Sequence, residues 1–138
     1  MKKILFLFAL LCSLGMTAQN QKVKYINLKR AYDFQRESNE YRLNTALKQK
    51  MEELGYIVYF DNEMPQEVRL DPCAEYVGEL TRGKGSLSTE LTFILKDCKG
   101  NIVFNNSGKS RLKLHNKSYM EALQNIFKYS TIGRLKIN

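Results

Sequence analysis

The chain has 138 residues, 43% of them hydrophobic and 26% charged, enough for one domain that buries about two thirds of its unfolded surface. Its formal net charge of +8 is unevenly placed: residues 19–98 carry twelve basic against thirteen acidic groups, whereas residues 99–138 carry eight basic groups and the single acid Glu121. Asymmetry of that kind speaks of partners and not of fold, and the chain shows no linker, repeat or low-complexity tract that would argue for a second domain.

Lys2 and Lys3, the apolar run Ile4 to Leu14 and then Gly15-Met16-Thr17-Ala18 have the three-part form of a secretory signal peptide, with cleavage expected after Ala18. The apolar run is far short of the about 20 residues that cross a bilayer as a helix. Leu11 before Cys12 disfavours a lipoprotein signal, which needs a small residue there. The expected product is residues 19–138, a single α+β domain with no later membrane segment, exported to the periplasm or outer cell envelope.

Lys22 to Leu28 reads as a first strand. Leu43, Ala46, Leu47, Met51 and Leu54 then recur at helical spacing from about Ser38, and Gly55 stands where a helix stops. The apolar run Tyr56 to Phe60 follows as a strand, so strand, helix and strand imply a right-handed parallel crossover. Asp61 to Pro72 holds both prolines and reads as a loop around the sheet edge, with one helical turn starting at Pro65.

Cys73 to Gly83 and Leu87 to Cys98 form an expected antiparallel hairpin. If paired residue numbers sum to 171, Tyr76 faces Leu95, Gly78 faces Phe93 and Leu80 faces Leu91 on one apolar face. Glu75 then meets Lys96 on the other, and Cys73 meets Cys98 in a cross-strand disulfide, a bond that persists in an exported protein. A tight turn at Asp97 to Asn101 leads into a third strand, Asn101 to Asn105, with Leu95 opposite Phe104 and Asp97 opposite Ile102. Ser118 with Glu121 three residues later gives a capping-box start to a closing helix striped by Tyr119, Ala122, Leu123, Ile126 and Phe127. The tail Thr131 to Asn138 frays or adds an edge strand. The fold class is therefore an α+β two-layer sandwich: a mixed sheet of four or five strands with two helices on one face.

Between the last strand and the closing helix lie Lys109, Arg111, Lys113, His115 and Lys117, a cation or histidine at every second position. Read as extended chain, they make one basic face, with Leu112 and Leu114 resting on the core. That face suits anionic head groups, acidic polysaccharide or an acidic envelope protein. Export makes nucleic acid a poor partner. Gly108-Lys109-Ser110 fails as a phosphate loop because Val103 stands where the earlier glycine belongs. Two cysteines and the distant His115 make no recognisable metal set, no cofactor is implied, and His115 has no nucleophile motif around it.

The runs Leu95 to Phe104, Gly108-Lys109-Ser110 and Tyr119-Met120-Glu121-Ala122-Leu123 resemble small exported flavobacterial-type (Bacteroidota) proteins of unknown function. The resemblance covers most of residues 19–138 and brings no catalytic residues. A looser likeness in fold is to periplasmic domains of envelope-assembly and synthase-activating lipoproteins. The expected function is a non-catalytic envelope binding or accessory module using its basic C-terminal surface. The alternatives are a subunit of a larger envelope assembly joined through a sheet edge, or a small periplasmic hydrolase.

Overall fold

The computed structural model describes residues 23–128. The expected signal segment and the tail after Thr131 lie outside the described residues. In chain order the elements are β1 (Tyr25–Leu28), α1 (Leu43–Glu53), β2 (Ile57–Phe60), α2 (Gln66–Leu70), β3 (Glu75–Arg82), β4 (Thr89–Lys96), β5 (Ile102–Ser110) and α3 (His115–Lys128). The strands make one mixed sheet in the order β2-β1-β3-β4-β5. β1 is parallel to both β2 and β3, and β3, β4 and β5 form an antiparallel meander. The α+β sandwich read from the sequence is the fold observed.

Chain direction explains where the helices go. The step from β1 to β2 and the step from β2 back past β1 to β3 run in opposite directions across the sheet. With right-handed crossovers, their connections fall on opposite faces. α1 accordingly packs with α3 on one face, where Ile26, Leu28, Val58, Leu80, Leu91, Phe93, Leu95 and Phe104 meet Leu43, Leu47, Met51, Tyr119, Leu123 and Ile126. The segment 61–72 was expected to skirt the sheet edge. It instead crosses the back of the parallel half, where Val68 of α2 packs on Tyr25 and Tyr59.

The register of β3 and β4 differs from the expected one by two residues. Observed pairs sum to 173: Gly78 faces Leu95 and Leu80 faces Phe93. A shift of two keeps every side chain on its face, so the inner face is as expected while its partners change. Lys96 Nζ meets Glu79 at 3.0 Å instead of Glu75, and Glu75 accepts the Tyr59 hydroxyl proton. Cys73 and Cys98 nonetheless stand at disulfide-bonding distance, with Cα atoms 4.9 Å apart. Both lie outside the ladder, Cys73 in a helical turn before β3 and Cys98 in the turn after β4. On β5, Leu95 faces Phe104 as expected, but a bulge places Ile102 opposite Lys96 and not Asp97.

Gly108 is what lets α3 lie on β5. A Cβ there would collide with the Ala122 carbonyl oxygen and come within 2.6 Å of the Ile126 nitrogen, so helix and strand backbones touch with no side chain between them. The closing helix also begins earlier than its capping-box signal. Ser118 is already inside the first turn, its N–H donating to the Leu114 carbonyl at 2.8 Å. Its hydroxyl donates to Thr89 Oγ1 at 2.7 Å, and Glu121 accepts from the Ser110 hydroxyl. Both residues fasten α3 to the sheet and neither caps it.

Candidate functional site

The basic run is not one extended face. β5 ends at Ser110, residues 111–114 form an exposed bend, and His115 opens α3. Lys109 pairs across the ladder with Glu90 of β4, its Nζ 3.4 Å from the carboxylate. Arg111, Lys113, His115 and Lys117 are exposed. Leu112 and Leu114 were expected on the core and are instead 48% and 59% exposed, because the period-two pattern stops at the strand end.

The topology brings further cations to the same end of the sheet. β1, β2, β3 and β5 all finish there, β4 starts there, and both long helices begin there. This pole therefore gathers residues 29–42, 61–63, 82–88 and 111–117. Arg42, Arg82 and Lys84 join the run in this way. Sequence spacing alone could not reveal them, since they come from different connections of the chain.

Around β1 and β2 the pole carries carboxylates beside its cations: Lys29 with Asp33, Arg30 with Glu63 and Arg36 with Glu40 form ion pairs, and Glu37 and Asp61 stand there as well. Glu40 is held below its usual carboxylate range, chiefly by the Arg36 N–H that donates to it at 2.8 Å. Around β4, β5 and α3 the balance is lost. Among the described residues, no carboxylate lies within 4.0 Å of Arg42, Arg82, Lys84, Arg111, Lys113 or Lys117.

Stacked rings hold this side in shape. Phe34, Tyr119 and Tyr41 stack in that order, with centroids 5.9 and 4.4 Å apart, and the Arg82 guanidinium lies 5.6 Å over Tyr119. Burial raises the Tyr119 phenol above its usual range, with Arg82 opposing the rise. Tyr41 and Arg42 have left-handed φ of 58° and 60°, a conformation that costs about 1–2 kcal/mol per non-glycine residue. The regular part of α1 starts only after them, at Leu43 and not Ser38. Asn39 ties the turn, bonding Thr45 through both its oxygen and its nitrogen at 3.0 and 2.7 Å. The result is to present Arg42 in a shallow groove that it shares with Tyr41, Leu112, Lys117 and Met120.

The opposite pole is built differently. There Asp97 accepts from the N–H groups of Lys99 and Asn101 at 2.9 and 2.8 Å, and Gly100 supplies the positive φ that the turn needs. These bonds, that of Asn101 first, hold the Asp97 carboxyl below its usual range. Among the described residues, no three of His, Cys, Asp and Glu are grouped to hold a metal ion, and no helix is long and apolar enough to cross a membrane.

No protein-family model and no curated protein matches the chain. Among solved structures it is similar to a dodecamer of a PelC variant from Paraburkholderia phytofirmans, at 12% identity and a TM-score of 0.46, with 83% of this chain and 89% of that one covered.

Proposed function

We propose that this protein is a non-catalytic module of the cell envelope that binds an acidic partner through its basic pole. The observation that carries this reading is the gathering, at one end of the fold, of six cations with no carboxylate within 4.0 Å among the described residues: Arg42, Arg82, Lys84, Arg111, Lys113 and Lys117. Unpaired cations brought together by tertiary structure raise the local concentration of an anionic partner and steer its approach. The cysteine pair at bonding distance favours an oxidising compartment, in keeping with the export signal expected at residues 1–18. His115 is exposed at this pole, and the reading gives it a share in binding and no role in proton transfer.

The test is retention on an acidic matrix. Exported protein should bind immobilised heparin, used as a generic polyanion, at about 50 mM salt and elute well before about 500 mM. Lys84→Gln, Arg111→Gln, Lys113→Gln and Lys117→Gln together should abolish retention while the thermal melt stays in place. Retention unchanged by the four substitutions would remove the basic pole from consideration. The outer edge of β5 supports a second reading, assembly through strand addition, since β5 is the last strand of the sheet. Association by that route would be insensitive to salt.

A further inference from the structure

The basic pole also carries three of the seven exposed large apolar side chains among the described residues. Leu87, at the tip of the β3–β4 connection, is 95% exposed, and Leu112 and Leu114, in the bend before α3, are 48% and 59% exposed. The segments that carry them leave the sheet at the same place. Thr89 and Ser110 are the last ladder pair of β4 and β5, so the chain entering β4 and the chain leaving β5 emerge side by side. Ser118 and Glu121 of α3 lock both strand ends through Thr89 and Ser110. The bend itself is held by the Leu112 N–H, which donates to Ser110 Oγ at 3.2 Å. These leucines are thus displayed from a braced platform.

Each leucine has cations for neighbours in the chain: Lys84 precedes Leu87, and Arg111, Lys113 and His115 alternate with Leu112 and Leu114. A polysaccharide or an acidic protein surface would account for the cations alone. Isolated leucines ringed by lysine and arginine have a more specific complement, a layer of anionic head groups over acyl chains. There the leucines leave water while the cations stay at the level of the phosphates.

We propose that the basic pole docks on an anionic lipid surface, with Leu87, Leu112 and Leu114 entering the head-group boundary and Lys84, Arg111, Lys113 and Lys117 engaging the phosphates. This rests on the binding role given to the pole above and names its partner. β1 starts at the other end of the sheet, and α3 runs away from the pole toward that end. Basic residues near the surface are drawn to anionic membranes. The cations therefore bring the module to the membrane, and the leucines make it stay when salt rises.

The decisive measurement is co-sedimentation of the exported protein with vesicles of phosphatidylcholine alone or with about a third phosphatidylglycerol, at low and high salt. Binding is expected only to the anionic vesicles. Leu87→Ser, Leu112→Ser and Leu114→Ser together, which leave every charge in place, should weaken it about tenfold or more. The chain has no tryptophan, so Leu87→Trp supplies a second readout that needs no loss of binding: its emission should shift to the blue on anionic vesicles and not on free inorganic phosphate. Serine variants that bind as well as the native chain, or a Leu87→Trp emission that does not move, would overturn the inference and leave the polyanion reading intact. Binding to heparin without binding to vesicles would do the same. Failure to bind either would sink both.

Discussion

The two ends of the sheet are made of similar material and put to different use. At one, the Asp97 carboxylate collects backbone N–H groups, Gly100 takes the strained φ, and Cys73 and Cys98 come within bonding distance. At the other, six cations have no carboxylate within 4.0 Å, Leu87, Leu112 and Leu114 stand in water, and Tyr41 and Arg42 themselves take the strained φ. Backbone strain placed on glycine costs little, whereas strain placed on tyrosine and arginine must be offset by packing, here the ring stack with Tyr119. The strain on tyrosine and arginine thus falls at the pole to which the proposed binding groups belong.

The sharpest way to break this contrast is to part α3 from β5, since α3 begins among the open-pole groups. Gly108→Val forces a side chain against the Ala122 and Ile126 backbone. The expected loss is about 4 kcal/mol, above the usual overpacking range of about 1–3 because backbone cannot step aside. Urea denaturation would measure it, and heparin retention should be lost with it. A stability within about 1 kcal/mol of the native chain would show that the helix does not rest on the strand.

Next in size is the closed pole. Replacing Cys73 and Cys98 with alanine removes a link across 25 residues of sequence, worth about 3 kcal/mol in the chain-entropy model. The midpoint of denaturation should fall while heparin retention at low salt is kept. If retention falls in step with stability, the two poles are one cooperative unit and the contrast fails.

Much of the closed pole was legible in the sequence, and little of the open one. The pairing of Cys73 with Cys98 and the Asp97 to Asn101 turn are local or nearly so. Alternation in β3 and β4 gives the inner face correctly but cannot separate registers that differ by two. Placing the cysteines inside the ladder chose the wrong one, because Cys73 belongs to the turn before β3. The open pole misled for a physical reason. Lys-Leu-Lys alternation imitates a strand wherever it occurs, and only the position of α3 shows that Leu112 and Leu114 have no core to meet. Ser118 and Glu121 imitate a cap in the same way, while their true partners, Thr89 and Ser110, lie far away in sequence. Arg42, Arg82 and Lys84 required the sheet order before they could be placed with the basic run.

A smaller effect tests the closed pole from within. The Asp97 carboxyl is depressed below 3.8 in the folded chain by the N–H groups of Asn101 and Lys99. A depressed acid stabilises the fold above its unfolded pKa, and that contribution disappears as pH falls through the lower folded value. Asp97→Asn should therefore lower Tm at about pH 7, and the difference from the native chain should shrink as acid protonates the Asp97 carboxylate. A deficit that persists in acid would assign the role of Asp97 to shape and not to charge.

The smallest expected effect on stability is the one that bears most on function. Lys113→Gln and Leu114→Ser alter exposed side chains of the bend before α3, where the lost contacts are with solvent. Surface changes of this kind usually fall within about 0.5 kcal/mol, so the melting curve should barely move. Heparin retention should weaken in Lys113→Gln and hold in Leu114→Ser, whereas binding to anionic vesicles should weaken in both. That crossed pattern separates charge from insertion within two neighbouring residues, and it ties the unpaired cations and the unpaired leucines of the open pole to two different steps of one docking event. Were both variants to lose heparin retention equally, the leucines would belong to the polyanion site itself, and the open pole would be a single mixed surface.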